Sequence, residues 1–338
     1  MIISKIIKED FVYYNLHAEQ TIVGTFFTDS TCSGIFDEQL TISTLEAIIK
    51  NIDEIENSKS KIIVLDLIRL KDASNNLKKL ILDISSKCKA VIFTNIKANV
   101  LSKLDLKTTN SNNVKTGDDY SILYHSETSE EYAIEKSDDL FEIEFKNFII
   151  KYTKENKNQY HQSSSVYLTK YIDIKKMISL DKAFFIYALY QLALKIKTHW
   201  LIDVKNDTDK PILICQNLNS SYIASILSSF LRLDVLILDH LGPVNTMYSS
   251  LNTKIEEDKN YIIVSDVVCL GTEVKIAKNI ITFLRGKVFG NVAIVKINTL
   301  SNKHIEVEEQ KMRTLSVFNI SKENNKGIDF EIKTAFTL

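Results

Sequence analysis

The chain has 338 residues, with 42 Lys and Arg against 43 Asp and Glu and a formal net charge of −1. That length fits two domains of ordinary size, and the balanced charge excludes a global positive field that would draw nucleic acid or an anionic membrane to the surface. The four cysteines, Cys32, Cys88, Cys215 and Cys269, lie far apart and form no CxxC pair, so neither a disulfide framework nor a zinc knuckle is expected.

Met1-Ile2-Ile3-Ser4-Lys5 runs directly into charged residues without the apolar core of a signal peptide. The longest apolar stretch, 183–194, is broken by Gln191 and flanked by Lys182 and Lys195. A cytoplasmic chain with no membrane span is therefore expected. An excess of Ile, Lys and Asn over Gly and Pro looks like the bias of an AT-rich, bacterial genome. Each of the eight glycines is the more informative for having survived it.

In chain order, 11–16 and 21–27 read as strands, 42–55 as an amphipathic helix, 61–67 as a buried strand, 73–84 as a helix and 90–94 as a strand. Residues 1–107 thus read as a small α/β domain with a mostly parallel or mixed sheet. Ile62-Ile63-Val64-Leu65-Asp66-Leu67, followed by Asp72-Ala73-Ser74-Asn75-Asn76-Leu77, faintly resembles the STAS domains of anti-sigma antagonists and sulfate transporters, though without that family's glycine after the serine. Asp72 and Ser74 also read more simply as N-caps of the helix.

Residues 108–150 form a polar connecting segment, with loop signals at Asn110-Ser111-Asn112-Asn113 and 127–131 and short strands expected at 120–124 and 141–145. The C-terminal domain is assigned to 151–338. It reads as an extended stretch at 166–174, a long apolar helix at 181–197, a buried strand at 212–215, a helix at 220–231 and a strand at 235–238. A buried strand at 261–264, a helix at 272–285 with Gly286 just past its end, and a strand at 292–297 follow. This succession describes a doubly wound parallel sheet, in which ligands sit outside the carboxyl ends of the strands. Strand-like 314–320 and 328–334 around Asn324-Asn325-Lys326-Gly327 read as a C-terminal hairpin.

Ile262-Ile263-Val264 is expected to end in Ser265-Asp266, pass through a loop from Val267 to Gly271, and open a helix at Thr272. A strand, a Gly-containing loop and a helix N-terminus together present backbone N–H groups to an anion, and the acid after the strand can bind sugar hydroxyls or hydrated Mg²⁺. The run Val264-Ser265-Asp266-Val267-Val268-Cys269-Leu270-Gly271-Thr272 resembles the phosphoribosyl-pyrophosphate motif of type I phosphoribosyltransferases, with the orotate phosphoribosyltransferases as the nearest branch. Ser163-Ser164-Ser165-Val166-Tyr167-Leu168-Thr169-Lys170-Tyr171-Ile172-Asp173 is similar to that branch's N-terminal segment, and 212–231 takes the place of its pyrophosphate-loop strand and helix.

The resemblance implies a phosphoribosyltransferase-type fold and a homodimer. It implies a nucleotide or phosphoribosyl ligand touched by Ser265, Asp266, Cys269, Leu270, Gly271 and Thr272 on one loop and by Gln216, Asn217, Asn219 and Ser220 on the other. Mg²⁺, held at Asp266, is the cofactor expected if the ligand is phosphoribosyl pyrophosphate. The pattern departs at three places. Ser265 replaces the first of two acids, Cys215-Gln216-Asn217-Leu218-Asn219-Ser220-Ser221 lacks the pyrophosphate loop's Gly and cation, and Asp239-His240-Leu241-Gly242-Pro243 stands where basic residues are usual. From Asp239 through Asp258 the only lysine is Lys254, with no arginine. Cations held in place beforehand usually do most to stabilise a charged leaving group.

Three readings follow. The chain is a degenerate, regulatory phosphoribosyl-binding protein, or an active transferase in which Asp266 holds the ribose and Lys254 or His240 assists. The third reading is an interaction protein whose N-terminal domain recognises a protein partner.

Overall fold

A computed structural model describes residues 2–18, 39–106, 114–116, 122–126, 137–155, 166–202, 204, 209–238, 255–269, 271–298, 313–321, 330 and 332–334. The strand expected at 21–27 lies outside these residues, as do His240, Lys254 and Leu270. The chain divides into two compact units, Met1–Phe141 and Glu142–Leu338.

The first unit begins with β1 (Ile2–Ile7), β2 (Phe11–Ala18) and a short β3 (Gln39–Leu40), followed by α1 (Ile42–Asp53). Then come β4 (Ile62–Asp66), β5 (Asp72–Ala73), α2 (Lys78–Ser86), β6 (Ala90–Ile96), α3 (Ala98–Lys103), β7 (Val114–Thr116) and β8 (Ile122–Ser126). Six strands form one sheet in the order β1-β2-β4-β6-β8-β7, parallel through its centre and antiparallel at each edge. The continuous apolar run of β4 follows from burial on both faces. Ile63 and Leu65 join Tyr14, Phe93 and the apolar stripes of α1 and α2 (Leu45, Ile48, Ile52, Ile81, Ile84), while Val64 packs with Ile6, Tyr13 and Ile92 on the other side.

Two sequence expectations are corrected here. Helix α2 starts at Lys78, after an N-cap Leu77 that makes no side-chain cap bond. Asp72 and Ser74 do not cap it: Asp72 lies in β5, bonded to Lys103 and Asn99, and the Ser74 N–H donates to the Leu40 carbonyl. The segment 141–145, expected as a strand, belongs to α4 (Ser137–Tyr152). Its buried Phe145, Phe148, Ile149 and Tyr152 recur with helical spacing.

The second unit continues through β9 (Thr153–Glu155), β10 (Val166–Leu168), β11 (Lys170–Ile172), α5 (Ile174–Leu180), α6 (Lys182–His199), β12 (Ile212–Cys215), α7 (Leu218–Leu231) and β13 (Val235–Ile237). It ends with β14 (Asn260–Val268), α8 (Thr272–Phe283), β15 (Lys287–Ile297), β16 (Thr314–Ile320) and β17 (Ile332–Thr334). Five strands in the order β13-β12-β14-β15-β16 form an all-parallel sheet. Among the described residues the strands of the expected C-terminal hairpin do not pair with each other: β16 joins this sheet beside β15, while β17 pairs antiparallel with β10.

Helix α8 packs Val274, Ala277 and Ile281 against Tyr261, Ile263 and Ala293. No single helix among the described residues is long and apolar enough to cross a membrane.

Two glycines fix close approaches around β15. Gly286 follows α8, but the left-handed position there is taken by Arg285, with φ 62°. A Cβ on Gly286 would lie 2.8 Å from the Ile281 side chain. At Gly290 a Cβ would lie 2.6 Å from the Trp200 ring and 2.8 Å from the Arg313 carbonyl oxygen, and that ring is held edge-on against Phe289. Gly290→Ala is therefore expected to destabilise the fold by ~1–3 kcal/mol through overpacking, read as a lower midpoint in urea unfolding with an unchanged slope.

Candidate functional site

Strand order reverses at β12: β13 pairs with one of its edges and β14 with the other. In an open parallel sheet this reversal leaves a crevice at the carboxyl ends of the two strands that diverge from it. The two segments singled out in the sequence, 216–220 and 265–272, leave the sheet at this place.

Strand β14 is longer than its apolar core implies and continues through Val268. Ser265 and Asp266 are therefore strand residues, and strand alternation sends their side chains to opposite faces. Ser265 is buried, and its Oγ accepts a 3.0 Å hydrogen bond from Asn291 Nδ2, which also donates to the Ile263 carbonyl at 3.0 Å. The Ser265 hydroxyl is thus part of the sheet's interior and does not face the crevice. Asp266 lies on the other face, only partly buried. Its Oδ2 accepts from Asn219 Nδ2 at 2.8 Å and its Oδ1 from the Val267 N–H at 2.8 Å.

The two helices that open here treat their N-termini differently. α7 begins with a capping box in which Asn217 Oδ1 accepts from the Ser220 N–H at 2.8 Å. In return, Ser220 Oγ accepts from the N–H groups of Gln216 (3.3 Å) and Asn217 (3.1 Å) and donates to the Asn217 carbonyl at 3.0 Å. Ser220 is fully buried, and a hydroxyl with two accepted bonds and one donated is saturated. Three of the amides expected to hold pyrophosphate, those of Gln216, Asn217 and Ser220, are thus occupied by the chain itself.

α8 opens at Gly271, whose φ of 71° needs a glycine and which has no side chain to cap the helix. Among the described residues no side chain takes that place, so its first N–H groups can meet water or an anion. Thr272 is exposed at the first helical position.

Glu273 and Gln216 tie the segments together. Gln216 Nε2 donates to the Glu273 carbonyl at 3.4 Å, and Gln216 Oε1 is buried without a partner among the described residues. The Glu273 carboxyl has a raised pKa, first from desolvation and then from the Asp266 carboxylate. Burial, followed by the charges of Asp266 and Glu273, pushes the Cys269 thiol up to about 12. It stays protonated at neutral pH and does not serve as a nucleophile. Among the described residues, no group of three or more His, Cys, Asp or Glu side chains could hold a metal ion.

The structure thus brings Asn219 to Asp266, Gln216 to Glu273 and Cys269 near Asp266, with Asn217 and Ser220 capping α7, Gly271 and Thr272 opening α8, and Ser265 turned into the interior. Two residues of the arrangement were not read from the sequence. Glu273 had a signal, an acid in the first helical turn after the Gly-Thr pair, and Asn291 had one too, a lone amide inside an apolar strand.

No protein-family model matches the chain, and no curated protein does. Among solved structures it is similar to adenine phosphoribosyltransferase from Thermoanaerobacter pseudethanolicus, with 14% identity over 51% of this chain and 98% of that one, at a TM-score of 0.37. It is also similar to orotate phosphoribosyltransferase from Aeropyrum pernix, with 12% identity over 54% and 96% of the two chains and a TM-score of 0.38. The similarity to UMP synthase of Leishmania donovani covers 81% of this chain but only 59% of that one, at 12% identity and a TM-score of 0.40.

Two outcomes test this geometry. Ser265→Asp, which puts back the acid of the resembled motif, is expected to cost ~2–5 kcal/mol in chemical unfolding, because that side chain points into the interior beside Asn291. At pH 8, Cys269 is expected to react with iodoacetamide roughly a thousandfold more slowly than a free cysteine, and faster as pH rises toward its raised pKa, as mapped by peptide mass spectrometry.

Proposed function

We propose that the second unit is a phosphoribosyltransferase-like module that binds a nucleotide or phosphoribosyl ligand and acts by regulation, without ordinary turnover. The observation that carries this reading is the uncapped start of α8 at Gly271, beside the part-exposed Asp266 at the switch point of a parallel sheet. Backbone N–H groups at a helix start suit a phosphate, and a carboxylate one strand-end away suits ribose hydroxyls. The resemblance of 264–272 to the phosphoribosyl-pyrophosphate motif supports the same ligand class. Pairing of two copies through this unit belongs to this reading as a consequence of the resemblance, while a protein partner for the first unit belongs to the reading of the chain as an interaction protein.

Against turnover stands the engagement of the Gln216 and Asn217 amides by Ser220. Stabilising a leaving pyrophosphate needs preorganised donors aimed at developing charge, and these donors already have an acceptor. An active transferase with an atypical substrate is favoured by one observation, the Glu273 carboxyl, whose pKa is raised by desolvation and then by the Asp266 carboxylate, the direction of shift that suits a carboxyl group to proton transfer.

Titration calorimetry with phosphoribosyl pyrophosphate and nucleoside monophosphates separates the readings. Binding that falls by ~tenfold or more in Asp266→Ala, with no pyrophosphate released, is the expected result. Base-dependent release of pyrophosphate decides for the active transferase. Absence of binding to every one of these ligands leaves the unit an interaction module.

A further inference from the structure

The phosphoribosyl-pyrophosphate motif implies Mg²⁺ at Asp266, and the donor set there does not fit it. One lone pair on each Asp266 oxygen is already engaged, Oδ2 by the Asn219 side-chain amide and Oδ1 by the Val267 N–H, and among the described residues no group of three or more His, Cys, Asp or Glu stands ready to share a cation with it. An amide N–H₂ is a donor and cannot coordinate a cation. The neighbouring Ser265 hydroxyl is directed into the sheet toward Asn291. Across the crevice, the two amides that would receive a second phosphate both donate to Ser220 Oγ, and Ser220 is fully buried.

We propose that Asn219 takes the place of the divalent cation, so that this crevice recognises a ribose phosphate monoester without metal and gains nothing from a diphosphate. The inference rests on the phosphoribosyl-binding reading above. A carboxylate offers about four lone-pair sites, and the bonds from Asn219 and Val267 use two of them. The remaining sites face no described donor and accept ribose hydroxyls. The Asn219 amide offsets part of the charge and fixes the carboxylate's orientation, which are the two services a bridging cation would provide. The phosphate monoester goes to the uncapped N–H groups of α8, the helix start in the crevice that its own side chains leave open. Asn219 is therefore a positioning residue that acts through Asp266.

Calorimetry with ribose 5-phosphate and with phosphoribosyl pyrophosphate, each in a chelator and in about 5 mM Mg²⁺, tests the inference. Wild type is expected to bind both ligands within ~threefold of each other and to change by less than ~threefold on adding Mg²⁺. Its melting temperature is expected not to respond to Mg²⁺ alone. Asn219→Asp places a second carboxylate at 2.8 Å from the first, at a helix N-terminus that tolerates an acid well. In chelator this variant is expected to melt lower and bind ~tenfold or more weakly, with both effects reversed by Mg²⁺.

Asn219→Ala, which introduces no charge, is expected to bind ~tenfold more weakly whether or not Mg²⁺ is present. Wild-type binding that appears only with Mg²⁺, or strong preference for the pyrophosphate, overturns the inference and leaves the phosphoribosyl reading intact. Asn219→Ala with unchanged affinity also overturns it. No binding of either ligand in either condition sinks the phosphoribosyl reading itself, and the metal-free inference with it.

Discussion

The crevice depends on the parallel register of β12 against β14, in which Ile212, Leu213 and Ile214 lie beside Tyr261, Ile262 and Ile263. That register sets Asp266 at the height of the α7 N-terminus, where Asn219 meets it. It is enforced from both sides of the sheet, because side chains of β14 alternate between the α8 face and the opposite face. A slip by one residue would turn Asp266 into the core and bring Ser265 out. The buried Asn291 fixes β14 on its other edge, against β15: its amide donates to the Ile263 carbonyl and the Ser265 hydroxyl, bonds that a slip of β14 along β15 would break.

The serine at position 265 then has a structural explanation that the sequence conceals. Read along the chain, Ser265-Asp266 looks like a motif from which one acid has been lost. Read across the sheet, the first position belongs to the interior, where a neutral hydroxyl can share a hydrogen bond with Asn291 and a carboxylate would be an unpaired buried charge. Ser220 has the same history. Serines at the start of a helix look like ligand contacts when the helix follows a phosphate-binding strand, yet here the hydroxyl closes a capping box and consumes two amides.

The main elements were legible because their burial leaves an unambiguous mark. Ile212 to Cys215 and Tyr261 to Val264 are apolar on both faces, as strands covered by helices must be. What the sequence did not disclose lies where local pattern and tertiary pairing disagree. Phe141-Glu142-Ile143-Glu144-Phe145 alternates as a strand does, and only the buried Phe148, Ile149 and Tyr152 beyond it reveal the helix. The turn residues at 324–327 fit a hairpin, but no local rule could show that Ile332–Thr334 would pair instead with Val166–Leu168, far back along the chain. Pairing between distant strands is a property of the whole sheet, and periodicity in a short window carries no information about it.

The two units offer an internal comparison that separates a structural carboxylate from one free to bind. Asp66, at the carboxyl end of β4, also accepts from an asparagine amide, Asn95 Nδ2 at 2.9 Å. It accepts further from the Ile68 N–H at 3.0 Å and from the Tyr13 hydroxyl, and it is fully buried. Three donors and no exposure leave that carboxylate nothing to offer a ligand, and its work is to tie β2, β6 and the turn after β4 to the end of β4. Asp266 lies near the carboxyl end of β14 and has the same kind of amide partner, but among the described residues it accepts from Asn219 and Val267 alone and is only partly buried. The difference is one of unused acceptor capacity. A carboxylate near the end of a parallel strand can serve a ligand only where the fold stops short of satisfying it; Asp66 has no such capacity left, and Asp266 keeps acceptor capacity that no described donor uses.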